Sequence, residues 1–134
     1  MSSTEYVILL YGDPQAWRDY TAAERAENMA RHDAFSRECA EQGYVITGGR
    51  ELTDAEGATT VRRQPDGGPP VVSEGPYAET VEQLGGFYVI ETDDFDGLVA
   101  LVAHHLEEHA EIRASVRQDD RDDAAASATA GVAS

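Results

Sequence analysis

Residues able to exchange protons occur at three places in this sequence. His32 lies in a stretch with helical periodicity, Glu74 precedes a Gly-Pro turn, and Asp13 follows the first apolar run. An imidazole titrates near pH ~6.5, so a neighbouring carboxylate can make it a general acid or base at neutral pH. We therefore predict that His32, Glu74 and Asp13 are catalytic. Two alternatives stay open, because His32 can be a core histidine bonded to Ser36 and Glu74 can cap a turn.

Aromatic and basic side chains supply candidates for substrate binding. Tyr11, Tyr77 and Tyr88 can line a pocket for an aromatic or otherwise planar molecule. Arg50 or Arg62 can pair with a substrate carboxylate through two parallel hydrogen bonds. The tyrosines can equally be half-buried core residues, and the arginines can form surface ion pairs. We predict Tyr11, Arg50, Tyr77 and Tyr88 as the substrate-binding residues.

A group of histidines raises the question of a metal site. His105 and His109 are four residues apart, a spacing that can share a metal, but a third ligand such as Glu108 would be needed. We expect these histidines, with His104, on a solvent-exposed helix face, and we predict neither a metal nor a cofactor. Cys39 falls on a buried stripe and is expected to be an inert core thiol.

These candidates must be positioned by regular elements that the sequence also indicates. A capping box at Thr21 and Glu24 predicts a helix from Ala22 to Gln42, ended by Gly43. A second helix is expected after the N-cap position at Asp93-Asp94, with a buried face of Leu98, Leu101, Val102 and Leu106. Short apolar runs predict strands at 6–11, 44–47, 85–91 and 110–116, and a β-hairpin over 58–73.

The order of these elements is β-α-β, a hairpin, then β-α-β. This order predicts an α+β, ferredoxin-like fold with an inserted β-hairpin, in which both helices cover one face of an antiparallel sheet. Alternate residues of the first strand are apolar on both faces. An uncovered outer face would be a large exposed patch, so we expect a homodimer that stacks sheet on sheet.

Composition limits the class of protein. The 134 residues include 26 Asp and Glu against 10 Lys and Arg, a formal charge of −16, and all ten basic residues are Arg. This charge argues against binding to nucleic acid or to an anionic membrane. We expect no targeting segment, because the first apolar run is short and no basic residue precedes it, and the chain has a single cysteine. We therefore expect a cytoplasmic protein. We predict one domain over 4–117, and a disordered acidic and Ala-rich tail over 118–134.

One segment carries a family resemblance. Residues 72–90 read Val-Ser-Glu-Gly-Pro-Tyr-Ala-Glu-Thr-Val-Glu-Gln-Leu-Gly-Gly-Phe-Tyr-Val-Ile, which resembles the signature of the YCII-related, or DGPF-domain, family. Glu74-Gly75-Pro76-Tyr77 stands where that family usually has Asp-Gly-Pro-Phe, and Val81 replaces a usual Lys. The resemblance implies a dimeric α/β barrel, related to cofactor-free barrels that act on small organic molecules. It also implies an active site built on a His and an Asp.

The sequence constrains the function of the protein less closely than its fold. Some proteins of the resembled family are similar to dehydrochlorinase-type enzymes, and others are linked to extracytoplasmic-function sigma factors. We therefore predict a cytosolic homodimer that acts on a small organic molecule by acid–base chemistry, as a lyase, isomerase or hydrolase. The alternative is a non-catalytic small-ligand sensor or accessory protein, with a possible link to sigma-factor signalling.

Overall fold

The computed structural model describes residues 3–117 of the chain, so the tail predicted over 118–134 lies outside the described residues. Nine main elements follow in chain order, numbered separately for strands and helices. They are β1 (Thr4–Gly12), α1 (Pro14–Asp19), α2 (Ala22–Gln42), β2 (Val45–Glu51), β3 (Thr59–Arg62), β4 (Val71–Glu74), β5 (Gln83–Thr92), α3 (Phe95–His105) and β6 (His109–Ala114). A short 3-10 turn, Ala55–Gly57, lies between β2 and β3. No helix among the described residues is long and apolar enough to cross a membrane.

The larger sheet has the strand order β2-β5-β1-β6, and every neighbouring pair is antiparallel. This order and the two β-α-β units confirm the predicted ferredoxin-like α+β fold. The sheet is open in one chain, with β2 and β6 at its edges. The inserted hairpin forms a separate two-stranded sheet of β3 and β4, also as predicted.

One hydrophobic core joins the two long helices to the sheet. Ile8 from β1 and Ile90 from β5 are fully buried, as are Phe35 from α2 and Leu98 from α3. The core therefore lies between one sheet face and the helices. At the other face, Val7 and Leu9 pair with Val89 and Phe87 and stay half-buried.

Helix α2 begins and ends where its sequence predicts. The Thr21 side chain accepts a hydrogen bond from the Glu24 amide, and the Glu24 carboxylate accepts one from the Thr21 amide. Gly43 ends the helix at φ +84°, a conformation that costs other residues energy. The capping box and the glycine stop are both confirmed.

Helix α1 is the element that the sequence did not predict. The predicted elements leave a gap between the strand at 6–11 and the helix from Ala22, but within this gap Asp13 caps a new helix and Pro14 is its first residue. Proline suits this position because its missing N–H would have no partner there. Strand β6 also begins and ends earlier than the predicted 110–116, at His109–Ala114.

The first turn of α3 is tightly packed around its N-cap residue. Asp94 caps the helix by accepting a hydrogen bond from the Gly97 amide, and it also accepts one from the Tyr44 hydroxyl at 2.7 Å. That bond, with burial, raises the pKa of Tyr44 to about 12. A Cβ built on Gly97 would overlap both the Tyr44 hydroxyl and the Asp94 carboxylate.

Replacing Gly97 by alanine is expected to lower the free energy of unfolding by about 2 kcal/mol or more, although Gly→Ala usually stabilises a helix interior. The overlap with Tyr44 and Asp94 is the reason. Urea unfolding followed by circular dichroism measures the change. Adding Tyr44→Phe should recover part of the loss, because it removes one of the overlapping atoms. An unchanged or higher midpoint for Gly97→Ala alone would contradict this account.

Candidate functional site

A cleft of about 710 Å³ opens beside the N-terminal half of α2. Its walls come from that half of α2, from α1, from the ends of β1 and β2, and from the start of β5. Several of the residues that line it are apolar, which is typical of sites for small organic molecules. Those apolar residues are Leu10, Trp17, Met29, Leu52, Leu84 and Phe87.

His32 lies in this cleft and is held at both ring nitrogens. Its Nδ1 is 2.7 Å from the Tyr88 hydroxyl, and its Nε2 is 3.0 Å from Oε2 of Glu108. The His32 ring also stacks on the Tyr88 ring with centroids 5.8 Å apart. Three elements therefore meet at this imidazole: α2, β5, and the connection between α3 and β6.

Asn28 fixes the carboxylate end of this arrangement. It lies one helical turn before His32 on the same side of α2, and it is only 5% exposed. Its Nδ2 donates to Oε2 of Glu108 at 3.0 Å and to Oε1 of Glu107 at 2.7 Å. Glu107 is held further by the Tyr20 hydroxyl at 3.1 Å. The amide of Asn28 thus sets where the carboxylate of Glu108 can meet the imidazole.

The carboxylate of Glu108 is kept ionised by its neighbours. Burial opposes ionisation, and its Oε1 is buried with no hydrogen-bond partner among residues 3–117. Hydrogen bonds from His32 and Asn28 outweigh this burial and lower the pKa of Glu108 to about 2. Glu108 is therefore an acceptor of hydrogen bonds at neutral pH.

The negative charge of Glu108 determines where the protons lie when the His32 imidazole is neutral. An ionised carboxylate can only accept, so Nε2 of His32 carries the proton that points to Glu108. Nδ1 of a neutral imidazole is then an acceptor, and the Tyr88 hydroxyl donates to it. Burial raises the pKa of Tyr88, while a hydrogen bond with Ser36 acts in the opposite direction. When the imidazole is neutral, the site therefore holds a phenol, an imidazole and a carboxylate in one hydrogen-bonded line.

The structure brings together most of the predicted site residues. His32, Asp13, Tyr11, Arg50 and Tyr88 all line the cleft. Asp13 also has a structural task, because its side chain accepts a hydrogen bond from the Gln15 amide at the start of α1. Their catalytic and binding roles stay predictions.

Glu74 and Tyr77 lie elsewhere. Glu74 ends β4 in the two-stranded sheet, and it does not line the cleft of the single chain. Tyr77 is 70% exposed, and the Arg62 guanidinium lies over its ring at 4.7 Å. Arg62 also donates to the main-chain oxygen of Tyr77. The carboxylate bonded to His32 belongs to Glu108, and not to Glu74 or Asp13, the two acids predicted from the sequence.

Two of the histidines near the end of α3 each bind a different carboxylate. His105 is bonded to Glu38 at 3.0 Å, and His109 pairs with Glu82 at 3.2 Å. The expectation of one solvent-exposed helix face is wrong for His105, whose side chain is 14% exposed and packs edge-on against Phe35. It is also wrong for His109, which begins strand β6 and is not part of the helix. Across residues 3–117, no group of three His, Cys, Asp or Glu side chains is placed to hold a metal ion.

Two further expectations about α2 have different outcomes. Cys39 is fully buried, as predicted, and burial raises the pKa of its thiol to about 11. Helical periodicity also predicts Met29 on the stripe that contains His32 and Cys39, but Met29 is 50% exposed. It lines the cleft instead, because the stripe extends beyond the packed core at this end of the helix.

Comparison with known proteins gives one family match and one relative. A model of the YCII-related domain matches residues 4–116, nearly the whole described part of the chain. An uncharacterized protein of Rhizobium meliloti (strain 1021) is 33% identical over 91 residues, which cover 68% of this chain and 71% of that protein.

Proposed function

The chain belongs to the YCII-related domain family, and on that premise we propose a cofactor-independent enzyme that moves protons on a small organic molecule. The observation that carries this proposal is the hydrogen-bonded line from Glu108 through His32 to Tyr88 at the wall of the cleft. A carboxylate, an imidazole and a hydroxyl in series form an arrangement that activates the hydroxyl. In this proposal the hydroxyl belongs to a tyrosine, which acts as acid and base.

Tyr88 is the group that touches the substrate in this proposal. Its hydroxyl proton passes to Nδ1 of His32 while its oxygen accepts a proton from the substrate or from a water molecule. The resulting imidazolium is stabilised by the Glu108 carboxylate at Nε2. The reverse transfer returns a proton through Tyr88 to a leaving group or a carbanion. Elimination, isomerisation and hydrolysis all fit these two half-steps.

The test can be run before the substrate is identified. Metabolite fractions are screened for compounds that raise the melting temperature, and each hit is then incubated with the protein in D2O. Proton NMR reports either exchange of a carbon-bound hydrogen or the appearance of a product. We expect protein-dependent exchange or turnover for at least one hit. Stabilising compounds that stay chemically unchanged would refute the enzyme proposal.

A second candidate is a non-catalytic sensor of small molecules or an accessory protein, including one linked to sigma-factor signalling. The observation that favours it is that protein partners already occupy both nitrogens of His32. A fixed imidazole can simply shape a binding pocket. This candidate predicts hits that bind but undergo no change in D2O.

We also propose that the functional unit is a cytoplasmic homodimer. The apolar pairs Val7–Val89 and Leu9–Phe87 run across the centre of the outer sheet face. A second copy stacked on this face would bury them, and burial of apolar area is the main source of association energy. The free, buried Cys39 agrees with a reducing compartment.

Replacing Leu9 by glutamate is expected to convert the dimer to a monomer, because it places a charge at the centre of the proposed interface. Size-exclusion chromatography with light scattering should give twice the 14.5 kDa chain mass for the wild type and one chain mass for the variant. Val99→Glu adds the same charge at an exposed apolar position of α3, on the other side of the sheet; it serves as the control and should stay dimeric. A wild type that is monomeric at micromolar concentration would refute the dimer.

A further inference from the structure

Two neighbouring rows of the main sheet border the cleft. In one row Gly49 of β2 is paired with Tyr88 of β5, and in the next row Glu51 is paired with Gly86. Gly86 is paired in turn with Leu10 of β1. Residues two apart on a strand project from the same face, so Glu51 projects from the face that holds Tyr88. A carboxylate therefore enters the cleft on the side of the proposed reacting group.

The glycine at position 86 leaves this part of the sheet without a side chain. A Cβ built there would approach the main-chain oxygen of Arg50 to 2.9 Å, so a larger residue would require the strands to shift. Glu51 and Tyr88 are diagonal neighbours across the two strands, at a separation that long side chains can span. A ligand that lies over Gly86 can therefore meet both side chains.

The carboxylate of Glu51 has no basic partner. Its side chain is exposed, and no basic side chain of residues 3–117 lies within ion-pair distance of it. Arg50 precedes it, but Arg50 is paired with Phe87 and projects from the opposite face of the sheet. An ionised carboxylate only accepts hydrogen bonds, so a ligand that binds it must donate them.

The other three acids of the cleft already have partners. Asp13 caps α1, Asp54 is bonded to Arg18, and Glu108 is bonded to His32. These contacts hold the walls of the cleft together and orient the imidazole. The carboxylate on β2 is therefore the acid of the cleft that a ligand can pair with at no cost to such a contact.

The two arginines that the helices contribute to the cleft are also engaged. The guanidinium of Arg18 lies within ion-pair distance of both Asp54 and Glu56. Arg25 donates to the main-chain oxygen of Trp17 at 2.7 Å and stacks over its ring at 4.8 Å. Neither arginine compensates the carboxylate on β2. The formal charge of −16 also attracts cations to the chain from a distance.

The cleft offers apolar contacts as well. Met29 on α2 is 50% exposed although it lies within the concavity, and Leu10 lies beside the space at Gly86. Exposed apolar side chains within a cleft mark a place for the apolar part of a ligand. They supply an observation independent of charge.

We propose that the cleft binds a small organic cation: an ammonium group on Glu51, with an apolar body against Met29 and Leu10. This inference rests on the proposed function, since it names the class of substrate for the same cleft. It places the charged end of the ligand at the end of β2, and the reacting part beside the Tyr88 hydroxyl.

The test compares primary amines with the alcohols of the same skeleton, which have nearly the same shape without the charge. Hexylamine, benzylamine and 2-phenylethylamine are titrated at millimolar concentration and neutral pH, each beside its alcohol. Binding is followed by two-dimensional NMR of the 15N-labelled full chain. We expect at least one amine to bind about fivefold or more tightly than its alcohol, because a charge-assisted hydrogen bond is stronger than a neutral one. The largest shifts should fall on the amides of cleft residues such as Gly49, Gly85 and Gly86.

Two variants of equal charge assign that preference. Glu51→Gln should bring the amine-to-alcohol ratio close to one. Glu41→Gln removes the same charge at the far end of α2, away from the cleft, and should leave the ratio unchanged. A general attraction of cations to the acidic chain would affect both variants alike. Met29→Gln should weaken the amine and its alcohol by a similar factor.

Four results would overturn the proposal. They are that no amine binds, that the alcohols bind equally well, that Glu41→Gln acts like Glu51→Gln, or that the shifts lie outside the cleft. Failure of this inference can be distinguished from failure of the proposed function, because binding of amines requires no turnover. A retained preference for amines with no proton exchange would refute only the enzyme proposal. Proton exchange on uncharged compounds, bound without help from Glu51, would refute only the cation proposal.

Discussion

Tyr88→Phe is expected to slow turnover by a factor of about 100 to 10,000, the usual contribution of one general acid–base group. The substitution removes only the hydroxyl that lies 2.7 Å from Nδ1 of His32. The ring contacts with His32 and Phe35 remain available, so the fold should be retained with a loss of about 1 kcal/mol in unfolding free energy. Proton exchange in D2O gives the rate, and urea unfolding gives the stability.

Tyr44→Phe is the matched control. It removes a tyrosine hydroxyl that also forms a 2.7 Å hydrogen bond, to Asp94 and outside the cleft. It should cost a similar amount of stability and leave turnover unchanged. If both variants slow turnover to the same extent, the effect comes from lost stability and Tyr88 has no chemical role. If Tyr88→Phe turns over at the wild-type rate, the proposed proton path is wrong.

The main elements of the fold could be predicted because their signals are local. The capping box at Thr21 and Glu24 and the glycine at 43 fix both ends of α2, and each depends on hydrogen bonds within one turn. Helix α1 was missed because Asp-Pro reads equally well as a turn or as a helix start. Which one forms depends on contacts with distant residues, such as Arg18 with Asp54.

The site was predictable only in part, for a physical reason. His32 falls on the inward side of an amphipathic helix, which its own periodicity indicates. Its carboxylate partner comes from the connection before β6, 76 residues later, and no local pattern reports that contact. Glu108 drew attention only as a possible metal ligand beside three histidines. Asn28 could have been identified from the sequence. A polar residue four positions before His32 lies on the same side of the helix, so the two side chains can bind the same group.

The contrast between Glu108 and Glu74 shows where a motif can mislead. The signature around Glu74 identified the family, and the family assignment is shown by the match over residues 4–116. A motif identifies a fold through all of its residues, but it gives no distance between any one of them and His32. In the single chain, the acid that meets His32 is the one that Asn28 holds in place.

Glu108→Gln is expected to make the stability of the fold depend less on pH. The pKa of Glu108 falls from its usual 4.5 to about 2 in the folded chain. A group with a lowered folded pKa contributes stability above its unfolded pKa and loses that contribution as the pH falls through its folded value. The variant should therefore be less stable than wild type at pH 7, by up to about 3 kcal/mol. The difference should narrow steadily from pH 4.5 towards pH 2.

Glu38→Gln provides the comparison that isolates this effect. Glu38 also bonds a histidine at 3.0 Å, and that bond lowers its pKa, but its side chain is 36% exposed. Exposed pairs are screened by water and contribute little, so Glu38→Gln should stay close to wild type at every pH. Urea unfolding at a series of pH values measures all three proteins. A Glu108→Gln deficit that is absent at pH 7, or that stays constant on acidification, would mean that Glu108 is not held as a carboxylate by His32 and Asn28.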